Sequence, residues 1–469
     1  MNTTSLNSLS YIKKLLLSFF ERLSPERTFL WLALLFGFLF ILIHPPFQVA
    51  DEKTQFFRMY ELSEFHFISI VKHNKAGDYL PESLTKFTEP FFLDQYYANT
   101  NVKMSLSTLR YIYSIPLNPN KKVFTPFQNT ALYSPIPYLV GSITTLFLRI
   151  FEARPIIIFY APKLVTMIVS ALVIYSAIKV TPIFKWVMTT LALMPMTLDQ
   201  VASFSADSLT IALSFFFVAY ILFCKSSIKP KITRKDFIIL ALTGSLLALT
   251  KPVYIFLLPL LLLIPVSKMG NVKKYLLFIA SVISISLVGF MIWSIVSAPI
   301  YTPARPYVFV DYHEQLKFFE KHTLDVTSLI VQDYASHADT YFEQFTGAFM
   351  IFHILLTIIL AMIMFLVSLV EKSSKVVISF KDRLLSFCIW LICLYVISLS
   401  LYLSWSRIGS SSIDGVQGRY YIPIALALFL CLYNDKIRSS SKALVPMLVS
   451  CSAVIALSLT VITWVFHFY

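Results

Sequence analysis

Two adjacent carboxylates, Asp51 and Glu52, follow the first apolar run in His44-Pro45-Pro46-Phe47-Gln48-Val49-Ala50-Asp51-Glu52. Anchoring in lipid needs apolar, aromatic or basic residues, so an acid pair here suggests chemistry at the water–lipid boundary. A carboxylate can take a proton from a hydroxyl, an effect worth about 10²–10⁴-fold in rate. Further polar residues interrupt later apolar stretches. Asp199, Gln200, Ser203, Ser205 and Asp207 fall in Met-Pro-Met-Thr-Leu-Asp-Gln-Val-Ala-Ser-Phe-Ser-Ala-Asp-Ser at 194–208. Lys251 stands in Leu-Thr-Lys-Pro-Val-Tyr at 249–254, and Arg407 and Arg419 bracket a segment that ends Gly-Val-Gln-Gly-Arg-Tyr at 415–420. Lysine and arginine can hold a phosphate, arginine in a bidentate fork. Ionisable residues at membrane depth cost roughly 2.5–3.5 kcal/mol on insertion scales, so function is the default hypothesis for them.

Each also has a plainer role. Asp207 would N-cap a helix, Lys251 would snorkel to the interface, and Asp51–Glu52 would start a helix favourably for its dipole. Lys163, within a span, reads as a snorkelling or paired residue. His44, His66, His313, His322 and His337 show no ligand spacing. Three of the ten glycines, Gly409, Gly415 and Gly418, fall close together. Glycine used so sparingly and then clustered points to backbone that turns tightly or approaches a ligand.

The elements that must position these residues are membrane helices. The 469 residues are 57% hydrophobic and 14% charged, against about 25% charged in soluble domains. Runs such as Leu276–Val296, Ala348–Val370 and Leu384–Leu403 are each long enough to cross a bilayer. The first run, Phe29–Ile43, lacks a small-residue cleavage site and reads as a retained span. The net charge of +14 does not indicate nucleic acid, because 21 of the 39 Lys and Arg fall in the N-terminus and five short connections. That is where orientation signals belong. The five cysteines suggest neither a disulfide framework nor a zinc site.

Taking the basic clusters as cytoplasmic predicts an all-α polytopic protein of eleven spans, near 28–44, 156–178, 184–199, 208–224, 237–250, 252–266, 275–298, 346–370, 384–404, 419–434 and 443–466. The scheme needs 131–150 to lie in the outer interface, and its Pro135 and Pro137 make it a poor start for a span. A twelve-span scheme is the alternative. The chain then divides into a cytoplasmic N-terminus (1–27), the first span (28–44), an extracytoplasmic loop with juxtamembrane helices (45–155), spans two to seven (156–298), a second outer loop (299–345) and spans eight to eleven (346–469). Asp51–Phe65 reads as an amphipathic helix on the membrane surface, and Lys72–Asn129 as irregular with short helices. No internal repeat favours an inverted-repeat transporter.

With this topology, acids and cations gather on the outer side, as suits a substrate whose phosphate rides on a lipid. The chain resembles a bacterial family of polytopic membrane proteins of formerly unknown function, itself similar to the GT-C class of glycosyltransferases. The resemblance rests on Pro-Pro-Phe-Gln-Val-Ala-Asp-Glu, on Tyr-Ser-Pro-Ile-Pro-Tyr at 133–138, on the 194–208 and 249–254 segments, and most specifically on Gly-Val-Gln-Gly-Arg-Tyr. It implies transfer of a sugar from a polyprenyl-phosphate carrier to an acceptor hydroxyl of a surface glycan or glycolipid, at the outer face of the bacterial cytoplasmic membrane. By that resemblance Asp51 would orient or deprotonate the acceptor, with Glu52 assisting and Asp207 as the second acidic position. Lys251 and Arg419 would contact the donor phosphate, with Tyr420 and Arg407 beside them and Asp199 and Gln417 as secondary candidates. Ala50 and Gln55 depart from the proline and histidine expected there, and Thr346–His353 lacks an expected Gly-Trp-Asp character. A divalent ion such as Mg or Mn on Asp51, Glu52 and Asp207 stays open. The alternatives are a flippase or exporter of lipid-linked saccharide, and a polymerase or ligase; charge gathered at one face disfavours the first.

Overall fold

The computed structural model describes residues 11, 14–94, 103–303, 310–347, 354–371, 375–433, 437 and 441–469. The chain is mostly helical. Among the described residues, six helices are long and apolar enough to cross a membrane: Pro25–Ile43, Pro155–Val180, Asp207–Lys225, Val272–Ile300, Phe380–Ser404 and Leu444–Phe468. The other expected spans fall on shorter helices. Arg234–Thr250 has 17 residues, Ile354–Val370 has 17, and a 3₁₀ segment Gly418–Ile424 runs into Ala425–Leu432. The region expected as one span over 184–199 is two helices, Lys185–Ala192 and Pro195–Val201. Pro195 has no N–H to continue the first helix and holds Met194 extended, which breaks the run. Pro252–Leu263 is a 3₁₀ helix throughout, with Pro252 at its start and Pro259 inside.

Asp207–Lys225 is the central element, with 83% of its apolar window inside the protein. It packs on Pro155–Val180, Arg234–Thr250 and Pro252–Leu263. Pro155–Val180 in turn packs on Pro25–Ile43, and Phe380–Ser404 lies against Pro252–Leu263 and the Gly418–Leu432 segment. At one end of the central helix Lys225 pairs with Asp382, 3.0 Å away. At the other end stands Asp207.

The segment after the first helix differs from its expected form in two ways. Residues 70–126 hold a three-stranded antiparallel sheet, β1 (Ile70–Lys72), β2 (Lys75–Pro81) and β3 (Lys122–Pro126), in the order β1-β2-β3. His73 and Asn74 both take positive φ, which closes the β1–β2 turn in two residues. The strands are short, and β2 and β3 end at proline, so they do not register in a Pro-, Asn- and Thr-rich stretch. In addition, Glu52–Ser63 does not lie on a membrane surface, since residues 55–63 and Glu52 are all buried. Its polar side chains face partners instead. Fully buried Arg58 pairs with Glu61 and donates to Phe67 O at 2.9 Å and Tyr133 O at 3.0 Å. Arg58→Met is expected to leave Glu61 buried without its cation and to destabilise the protein by about 3–5 kcal/mol, measured by denaturation in detergent. The segment 131–150 forms the turn Gln128–Ala131, the 3₁₀ turn Ile136–Tyr138 and the 12-residue helix Leu139–Ile150, against the roughly 20 residues that a span takes.

Candidate functional site

The chain leaves Pro25–Ile43 through a buried bend, and Phe47 and Asp51 both adopt left-handed backbone, with φ of 65° and 61°. Aspartate visits this region more readily than most residues. Asp51 stands at the cap position of Glu52–Ser63, yet its carboxylate makes no capping bond and 41% of its side chain is exposed. Oδ1 accepts a hydrogen bond from Asn129 Nδ2 at 2.9 Å, and Oδ2 lies 3.8 Å from Arg419 Nη2. A carboxylate held by one amide and faced by one guanidinium, with the rest of it open, is placed to receive a proton.

Glu52 points the opposite way. Its carboxylate is buried 2.8 Å from Lys163 Nζ on Pro155–Val180, while Oε2 accepts from Phe47 N at 3.0 Å. The expected assisting role does not fit this position, because no open surface reaches the group. The pair instead fixes the bend against the neighbouring helix. Lys163 is the paired residue that its sequence position suggested. Removing one partner of a buried pair strands the other charge, so Glu52→Ala is expected to cost about 3–5 kcal/mol of stability. Thermal denaturation should report that loss, with the double variant Glu52→Leu/Lys163→Met recovering most of it.

Asp207 opens the central helix, but Ser205 performs the cap: its Oγ accepts from Asp207 N at 3.1 Å and donates to Asp207 Oδ2 at 3.1 Å. That leaves the Asp207 carboxylate for two cations. Lys251 Nζ binds Oδ1, and Arg419 Nη1 lies 3.9 Å from Oδ2. Lys251 ends Arg234–Thr250, where the helix dipole favours a cation, and its ammonium sits 4.8 Å over the Tyr420 ring. Its charge is spent on Asp207 and Tyr420 rather than snorkelling to an interface.

Arg419 is almost fully buried. Nη1 donates to Gln200 Oε1 at 2.9 Å, and Cζ lies 5.2 Å from the Tyr420 ring centre. The glycines explain how its segment is placed. Gly418 lies against the Tyr341 carbonyl of Ala338–Thr346, where a Cβ has no room, and its N–H donates to Gln344 Oε1 at 2.9 Å. Gly415, at φ +84°, packs under Trp405. The close approaches are therefore to the backbone of Ala338–Thr346 and to an aromatic ring. Tyr254 OH closes the other side by donating to Tyr420 O at 2.9 Å.

A cavity of about 480 Å³ lies over this group, lined by Asp51, Gln48, Gln55, Asn129, Tyr133, Trp405, Gln417 and Tyr420. A second cavity of about 300 Å³ shares Tyr133 and Tyr420 with it and runs past Lys251 between Pro252–Tyr254 and Ile397–Leu401. Asp51, Asp207, Lys251, Arg419, Tyr420 and Gln417 are thus brought together from four separate segments. Asp199 is not at the cavity: it is buried beside His44 at 3.9 Å and Gln200 at 3.4 Å. Arg407 is exposed on the connection between Phe380–Ser404 and Gly418–Ile424 and lines neither cavity, with its carbonyl bonded by Gln315 and Ser410. Phosphate contact by Arg407 does not fit that placement. Gln55, in the position where histidine was expected, accepts from Tyr138 OH and lines the cavity. Of the Thr346–His353 segment, residues 348–353 lie outside those described.

The carboxylates do not suit a shared divalent ion, because Glu52 faces Lys163 and Asp207 faces two cations. Among the described residues the one grouping with metal-ligand proximity is Glu64, His66 and Asp78. There Glu64 Oε1 already takes Lys122 and Arg149, each at 2.9 Å. Sequence reasoning passed over Gln48, Asn129, Tyr133 and Trp405 as site residues. Tyr133 lay inside a quoted motif, but Asn129 carried no signal, since its value arises from meeting Asp51 across 78 positions.

The chain belongs to the DUF2142 family of predicted membrane proteins, whose model matches residues 34–428. No curated protein and no solved structure matches it.

Proposed function

We propose that this multi-pass membrane protein is a GT-C-type glycosyltransferase that moves a sugar from a polyprenyl-phosphate carrier to an acceptor hydroxyl of a surface glycan or glycolipid. The observation that carries the reading is the quartet Asp51, Asp207, Lys251 and Arg419, gathered beside one cavity with only Asp51 open to it. The acceptor hydroxyl gives its proton to Asp51 while its oxygen attacks the anomeric carbon, and the bond from that carbon to the phosphate oxygen breaks. A single displacement with one base inverts the anomeric centre. The quartet is formally neutral at rest. As Asp51 takes the proton, the quartet gains one positive charge while the departing phosphate gains one negative charge. Interaction that strengthens along the reaction in this way lowers the barrier rather than merely tightening binding.

The second cavity supplies an apolar path for the carrier beside Lys251, and the amides of Gln48, Gln55, Asn129 and Gln417 supply hydrogen bonds for a hydroxyl-rich acceptor. The site would lie on the outer face of the cytoplasmic membrane, with eleven spans and the basic connections inside. Membranes containing the protein, supplied with labelled polyprenyl-phosphate sugar, should release polyprenyl phosphate and form a new glycosidic bond. Nucleotide sugar alone should give neither. Movement of labelled carrier between leaflets without a new bond would replace this reading by that of a flippase.

A further inference from the structure

A cavity of about 710 Å³ lies near the start of Pro25–Ile43, whereas Asp51 follows that helix's other end; it opens between residues 19–32 and the 450–455 turn of Leu444–Phe468. Two features separate it from an ordinary lipid-facing groove. Arg22 and Arg27 line it, both exposed, and among the described residues neither guanidinium has an ion-pair partner. Three lining hydroxyls, Ser24 Oγ, Thr28 Oγ1 and Ser450 Oγ, are buried without a hydrogen-bond partner. A helical serine or threonine can usually bond the carbonyl one turn back, and unpaired buried polar atoms are few in native proteins. Beyond this polar end the walls turn apolar, and Trp31 and Ile455 are 72% and 56% exposed.

The geometry points to a resident anionic phospholipid in this groove. Its phosphate lies between Arg22 and Arg27, and its acyl chains lie along Trp31 and Ile455. Two guanidinium groups that make no ion pair among the described residues select an anionic over a zwitterionic headgroup, and basic pockets between membrane helices bind such lipids. The apolar wall selects a lipid over a free anion. The site is independent of the glycosyltransferase reading, since it shares no residue with that cavity.

Cys451 lines the groove and is exposed, which gives a reporter that needs no substitution. The full chain is placed in nanodiscs of phosphatidylcholine with or without phosphatidylglycerol, and alkylation of Cys451 by N-ethylmaleimide is followed by peptide mass spectrometry, with exposed Cys388 as internal control. Phosphatidylglycerol should slow Cys451 alkylation at least about fivefold and leave Cys388 unchanged. Native mass spectrometry should show phosphatidylglycerol retained about 30-fold over phosphatidylcholine, at about 1 kcal/mol for each of the two arginines. Arg22→Gln/Arg27→Gln should abolish both preferences. Equal alkylation in the two lipids, a preference that survives in the double variant, or protection that tracks protein concentration rather than lipid would each overturn the proposal; the last would assign the groove to a second copy of the chain.

Discussion

Asp51→Asn is expected to lower the rate of sugar transfer by about 10²–10⁴-fold while leaving folding and donor binding near wild type. The amide is isosteric with the carboxylate, so the 2.9 Å contact with Asn129 can be replaced by an amide–amide bond. The left-handed backbone at φ 61° also tolerates asparagine as readily as aspartate. What disappears is the only open carboxylate of the quartet, and with it the proposed destination of the acceptor proton. Arg419 loses one of its two facing carboxylates but keeps Asp207 and Gln200, so the donor end of the site is conserved. Single-turnover assays in membranes with polyprenyl-phosphate sugar separate the two effects. A slow bond-forming step with unchanged donor saturation supports the assignment, and full transfer by Asp51→Asn would remove Asp51 as the base. Glu52→Gln supplies the contrast, because a buried partner of Lys163 should alter the melting temperature far more than the rate per folded molecule.

How much of this was legible in the sequence depends on how far apart the interacting residues lie. The helical membrane class followed from apolar run lengths, a local property, and each of the six long helices overlaps one of those runs. Asp207, Lys251 and Arg419 stood out because a charge interrupts apolar sequence at each, and the structure does place them together. Glu52 was expected to assist Asp51 because the two are neighbours. A helix start turns consecutive side chains about 100° apart, which sends one into the protein and the other to the cavity. The buried face of Glu52–Ser63 was misread for a related reason: Arg58 and Glu61 satisfy each other inside the protein, so a polar pattern that resembles a solvated face is in fact interior. The sheet went unseen because three strands of three, seven and five residues offer too little alternation to register. Asn129 and Trp405 gain meaning only through contacts with residues far away in the chain, and periodicity carries no information on those.

Arg419→Lys should be the second most damaging conservative change, reducing kcat by about 10²–10³-fold and raising the donor KM. Charge is retained, so the loss must come from geometry. The guanidinium presents Nη1 to Gln200 at 2.9 Å and stands 3.8 Å and 3.9 Å from the carboxylates of Asp51 and Asp207. One planar fork thereby faces Asp51, Asp207 and the amide of a separate helix at once. An ammonium on a flexible stem offers a point charge and cannot hold these directions together. Asp207 would still have Lys251, so the buried acid stays paired and the protein should fold, with a melting temperature within a few degrees of wild type. Lys251→Arg gives the complementary case, because Lys251 contacts Asp207 as a point charge and its replacement tests size rather than fork geometry. Wild-type kcat in Arg419→Lys would show that charge alone suffices. The proposed phosphate would then be stabilised by the joint charge of Lys251 and position 419, whatever the geometry of the group at 419. A loss confined to the donor KM would instead place Arg419 in binding, with the developing negative charge stabilised by Lys251.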